Sequence, residues 1–146
     1  MKPEFVRYLE SIGIYGALIV RIESIYKFFR SVCDEDIADI VVAEYVKEDE
    51  SREYEELWLF STNLVMLAAQ FVTGDDFRLL PIRNIIFWKI QKSEYDFEKA
   101  TAKSRMILEF HMPGSTFGSI RVSRENCDHL RDVFMKHIVP NVMSKP

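Results

Sequence analysis

EELWLFSTNLVMLAAQF, residues Glu55–Phe71, is the stretch that decides the fold. Two short apolar runs, Leu57–Phe60 and Leu64–Phe71, flank the polar triplet Ser61-Thr62-Asn63. Runs this brief, rich in aromatic and aliphatic side chains and joined by turn-formers, predict a β-hairpin with a three-residue loop. Leu64–Phe71 is almost continuously apolar, the pattern of a strand covered on both faces. Periodicity alone also allows a buried helix there, because Met66, Leu67, Ala68 and Ala69 are good helix formers. The brevity of each run and the strand-like segments that follow decide for β.

Downstream, Thr73-Gly74-Asp75-Asp76 has turn composition, and Phe77–Leu80 is a short strand ended by Pro81, which cannot donate to a ladder. Ile85–Ile90 is a further strand and Gln91–Lys103 a longer charged connection. Arg105–His111 alternates cleanly, Pro113-Gly114-Ser115 turns the chain, and Phe117–Val122 returns as the last strand. Ser123 is placed to cap a closing helix, with Glu125 in its first turn. Cys127, Leu130, Phe134 and Ile138 form the apolar stripe of that helix, and Pro140 stops it.

Upstream, Lys47–Glu53 (KEDESRE) is a charged loop, preceded by a strand over Ile37–Val46 and a polar break at Asp34-Glu35-Asp36. Pro3 opens a helix with Phe5, Tyr8, Leu9 and Ile12 at helical spacing, which Gly13 and Gly16 interrupt. A second helix carries one stripe of Tyr15, Leu18, Ile19, Ile22, Ile25, Tyr26 and Phe29. The stripe is either core packing or an interaction face for a partner helix, and Leu18, Ile22, Tyr26 and Phe29 are its candidate contact residues.

The expected architecture is α+β: a partly open antiparallel barrel of about seven short strands closed by a C-terminal helix and preceded by N-terminal helices. A helical segment occupies residues 1–33 and the β domain residues 34–146. Hydrophobic residues make up 48% of the chain, enough for a sizeable core. A net charge of −4 gives no overall attraction to nucleic acid or to an anionic membrane. Cys33 and Cys127 have no metal or redox spacing and are expected as reduced thiols, which points to the cytoplasm. Lys2 and Arg7 before Ile12–Val20 do not make a signal peptide, because Glu4 and Glu10 break the basic region and no cleavage site follows. The same run is far short of the roughly 20 apolar residues that span a bilayer.

Over roughly Ile37 to Val139 the chain resembles the pleckstrin-homology superfold, in particular its bacterial members. LWLFSTNLVML (Leu57–Leu67) is similar to the second-to-third-strand hairpin of that group and of the related GRAM domains. FRLLPIRNIIFWKI (Phe77–Ile90) is similar to the short strand and turn that precede the fifth strand, and GSIRV (Gly118–Val122) leads into the closing helix. Phe134 stands where eukaryotic members commonly carry a tryptophan. The resemblance implies the fold and a binding role. Members that bind phosphoinositides carry several cations around the first loop. Here Lys47 and Arg52 are outnumbered by Glu48, Asp49, Glu50, Glu53, Glu55 and Glu56, which repel a multiply charged phosphate.

Catalytic and cofactor motifs are absent from the sequence. His129 and His137, eight positions apart on one helix, lie about two turns from each other and cannot grip one metal ion, and His111 is distant. Glu109 and Asp128 are conceivable as an acid/base pair, but solvated carboxylates are the simpler reading. Trp58, Phe60, Phe87 and Trp88 suit either a ligand cavity or core packing. Arg83, Lys89, Lys92, Lys99, Lys103 and Arg105 are interleaved with Glu94, Asp96 and Glu98, a mixed-charge surface rather than a nucleic-acid face. The functional expectation is a non-catalytic protein-interaction or scaffolding module that self-associates, with neither cofactor nor metal. A lipid-headgroup or membrane-surface module is the alternative.

Overall fold

The computed structural model describes residues 1–47, 49–85, 87–96, 101–111 and 118–140. Its helices are α1 (Pro3–Ser11), α2 (Ala17–Cys33) and α3 (Asn126–Val133), the last continuing through a π-helical turn at Phe134–Ile138. The strands are β1 (Asp39–Val46), β2 (Arg52–Phe60), β3 (Leu64–Ala69), β4 (Asp76–Pro81), β5 (Phe87–Asp96), β6 (Thr101–His111) and β7 (Gly118–Ser123). The expected hairpin is present, with Phe60 paired to Val65 and Trp58 to Leu67 across the Ser61–Asn63 loop.

The strands form two antiparallel sheets, β1-β2-β3-β4 and β5-β6-β7, instead of the one partly open barrel that strand count suggested. Side chains of alternate residues divide the first sheet between two cores. Trp58, Phe60, Val65 and Leu67 face the second sheet and meet Leu108, Phe110, Ile120 and Val122. Leu57, Leu59, Met66 and Ala68 face the other way, onto Phe5 and Leu9 of α1 and Ile22, Ile25 and Phe29 of α2. A sheet buried on both faces explains why Leu64–Phe71 reads as an unbroken apolar run. The closing helix also follows expectation: Cys127, Leu130, Val133, Phe134 and Ile138 fill the end of the inter-sheet core, and Phe134 meets Trp88 edge-on at 4.9 Å.

A barrel would need β1 to pair with β7. The two strands lie side by side, yet no ladder joins them. The outer polar groups of β1 are instead taken up by side chains from both terminal helices. The Tyr8 hydroxyl accepts a hydrogen bond from the Val42 N–H at 2.9 Å and donates to Asn126 Oδ1 at 2.8 Å. Asn126 Nδ2 donates to the Val42 carbonyl at 2.9 Å, and His129 Nε2 donates to the Ile40 carbonyl at 2.6 Å. The Tyr8 and His129 rings stack with centroids 3.8 Å apart. A buried backbone group must find a partner, and here three side chains stand in for a strand.

Two local expectations are corrected. Much of Gln91–Lys103 is strand: β5 runs to Asp96 and pairs with a β6 that begins at Thr101, with residues 97–100 outside the described set. A backbone ladder needs no apolar face, so the polar composition concealed it. Ser123 does not cap the closing helix. It is buried and held in the β7 ladder opposite Arg105, and the helix starts at Asn126 after a turn. The expected turn at Pro113–Ser115 lies outside the described residues.

Candidate functional site

The stripe singled out on α2 is largely spent within the chain. Ile22, Tyr26 and Phe29 are buried against the first sheet and Leu18 is half-buried beside them, whereas Tyr15 is exposed ahead of the helix. Met1 to Cys33 therefore pack as a layer on the β domain.

The polar residues weighed as chemistry have structural occupations. His137 is buried and bonds to Asp39, which also pairs with Lys136 at 3.2 Å. Burial alone would raise the Asp39 carboxyl, but the hydrogen bonds from His137 and Lys136 hold it below the usual range. Glu109 lies between Lys89 and Ser119 in the sheet, and Asp128 pairs with Arg131. Both cysteines are free, and burial pushes the Cys127 thiol up to about 11, so it is inert at neutral pH. Among the described residues, no group of three or more His, Cys, Asp or Glu side chains is gathered as metal ligands. No helix among the described residues is long and apolar enough to cross a membrane.

Arg52, read from sequence as a loop cation, is a structural residue. It grips both oxygens of Glu44 at 2.9 and 2.8 Å and also pairs with Glu125. Glu44 is 0% exposed, and burial keeps its carboxyl above the ordinary range despite the guanidinium. Lys47 pairs with Glu53. Arg52 is therefore not free to receive a phosphate, and the exposed Lys47 has Glu53 beside it at 3.7 Å.

A cleft of about 460 Å³ opens between the sheets, lined by Glu55, Glu56, Trp58, Gln70, Arg78 and Arg121 among others. Trp58 is core, edge-on to Phe110 at 5.5 Å, while the Phe87 side chain lies outside the described set. Burial holds the Glu56 carboxyl above the ordinary range, and the nearby Trp58 indole N–H opposes this without reaching hydrogen-bond geometry. Arg121 is held by both oxygens of Glu55 at 2.7 and 2.8 Å, and Arg78 by Asp76 at 3.1 Å. Each cation that lines the cleft is thus answered on the spot, which leaves no surplus positive charge among the described lining residues for an anionic ligand.

Among the described residues, an exposed apolar surface lies where α2 meets β4. Arg21 anchors the two elements, donating to the Phe71 and Gly74 carbonyls at 2.9 and 2.6 Å and to Asp75 at 2.7 Å. Two turns further along the same face of the helix, Phe28 packs on Phe77 of β4 with ring centroids 5.1 Å apart. Val32, one turn beyond Phe28, and Leu79, two residues beyond Phe77, extend the strip in the same direction. Phe28, Val32 and Leu79 are 45%, 54% and 42% exposed, high for large apolar side chains.

Beside this strip, β4 is an edge strand. The Ile82 N–H bonds to the Asn63 carbonyl at 2.9 Å, which fixes the alternation of the β3–β4 ladder. Asp76, Arg78 and Leu80 point their backbone groups at β3, and Phe77 and Leu79 point theirs outward. Among the described residues nothing takes up those outward groups. Residue types alone could not reveal this surface, since Phe28 and Phe29 are identical in sequence and opposite in environment.

Comparison of the chain with models of protein families, with curated proteins and with solved structures returns no match.

Proposed function

We propose that the chain is a non-catalytic protein-interaction or scaffolding module, related in arrangement to the pleckstrin-homology superfold, that binds protein through its α2–β4 face. The observation that carries this is the pairing of an exposed apolar strip with an open strand edge: Phe28, Val32 and Leu79 beside the outward backbone groups of Phe77 and Leu79. Contiguous exposed apolar surface favours association, and a free edge offers directional hydrogen bonds to an added strand. A protein is favoured over a lipid headgroup because Arg52 is committed to Glu44 and Glu125, and Lys47 to Glu53.

Photo-crosslinking residues placed at Phe28 and Leu79, with the exposed Met135 of the closing-helix segment as control, test the reading in the native cell. The expected result is the same discrete protein adduct from both positions and none from Met135. Adducts no stronger than the control, or salt-sensitive sedimentation with phosphoinositide-containing vesicles at physiological ionic strength, would refute it.

A further inference from the structure

Resting on the assignment of the α2–β4 face as a protein-binding surface, the geometry points to its partner. We infer that a second copy of this chain adds to β4, strand to strand and antiparallel, in the register that sets Phe77 opposite Phe77 of the other copy. The two four-stranded sheets then become one continuous sheet about a two-fold axis.

Ladder geometry limits the registers. Phe77, Leu79 and the Pro81 carbonyl, with Asp75 before them, lie on the free side, so an axis that brings both Phe77 and Leu79 into the new ladder without reaching back into the turn before Asp75 passes beside Phe77, Arg78 or Leu79. Centring on Leu79 sets Phe77 against Pro81, whose nitrogen carries no hydrogen, and a ladder bond is lost. Centring on Arg78 sets two guanidiniums directly opposite each other, which is unfavourable. Centring on Phe77 sets Asp76 opposite Arg78 of the other copy, and Arg78 opposite its Asp76. The edge is self-complementary in charge in that register alone.

The faces agree. Phe77 and Leu79 lie opposite Ala68 and Met66 of β3, on the α2 side of the sheet, so the apolar strips of both copies close over the new ladder together. This matters because a short strand pair alone is marginal in water, and the apolar face must contribute. Asp76 and Arg78 lie on the opposite side, where they already pair at 3.1 Å within one copy and exchange partners across the axis.

Sedimentation velocity of the full chain over a wide micromolar range tests the proposal, with circular dichroism confirming that each variant is folded. The wild type is expected to dimerise. Arg78→Asp places carboxylates opposite each other twice and should weaken the dimer at least about tenfold. Asp76→Arg combined with Arg78→Asp reverses both charges and should restore it. Leu79→Pro removes an N–H that faces away from β3, so it should abolish the dimer while the fold persists. A wild type that stays monomeric at the highest concentration overturns the second copy as partner. So does a dimer indifferent to Arg78→Asp and Leu79→Pro. A charge reversal that fails to restore association overturns the register. If the wild type is monomeric while crosslinks from Phe28 and Leu79 still reach another protein, the binding face stands and only the identity of its occupant falls. Absence of both brings down the binding face as well.

Discussion

Asn126→Ala removes one side chain and strands several groups. Asn126 is 1% exposed; it donates to the Val42 carbonyl and accepts from the Tyr8 hydroxyl, which itself accepts from the Val42 N–H. Two hydrogen bonds are lost, each worth about 1 kcal/mol net, and the Val42 carbonyl is left buried without a partner at a further cost of about 1–3 kcal/mol. The expected destabilisation is about 3–5 kcal/mol, a large fraction of the roughly 5–15 kcal/mol that holds a domain folded. Urea denaturation of the wild type, Asn126→Ala, Tyr8→Phe and the double variant is the assay. Because Tyr8 and Asn126 serve the same Val42 peptide groups, the double variant should cost less than the sum of the singles, by at least about 0.5 kcal/mol. A loss below about 1 kcal/mol for Asn126→Ala, or strict additivity, would show that these side chains do not substitute for a strand on the β1 edge.

Arg52→Gln should destabilise the fold by about 3–5 kcal/mol at neutral pH, because it leaves Glu44 charged, buried and unpaired. Glu44 already has a raised folded-state pKa, so its protonated form suits the fold, and the deficit should shrink as pH falls through that pKa; a denaturation midpoint equally low at pH 7 and pH 4 would contradict this. Gly118→Ala should cost about 1–3 kcal/mol, since a Cβ there would lie 2.3 Å from the Phe110 ring; a wild-type melting temperature would mean the ring moves freely. Burial lowers the His129 pKa, with the Ile40 carbonyl and the charges of Asp39 and Asp132 opposing it. Below the ordinary histidine value the unfolded chain takes the proton more readily than the folded one. The His129 contribution is therefore complete above about pH 6.5 and falls away as pH drops through the folded value. The stability difference between wild type and His129→Asn should narrow from pH 7.5 to pH 5; a constant difference would refute it.

The local rules of the chain determined much of this protein. A hairpin about Ser61–Asn63, the break at Gly13 and Gly16, the ending of β4 at Pro81 and the burial of Phe134 in a closing helix all follow from spacing and turn chemistry over a few residues. Even the burial of both faces of the first sheet is written in the unbroken run Leu64–Phe71, because a strand exposed on one face would alternate. What the tertiary structure alone decided depends on residues far apart in sequence. Tyr8, Asn126 and His129 meet on β1 only after both terminal helices dock, and they satisfy the edge that a barrel would have closed. Arg52 changes from a loop cation to the partner of a buried carboxylate because the register shift at Ala43/Glu44 brings the two together. The candidate site is likewise tertiary in origin. Phe28 and Phe29 are adjacent and alike, and helical geometry turns one into the core and the other onto the surface. Only the placement of β4 at the sheet edge gives the exposed one a neighbour with hydrogen bonds still to make.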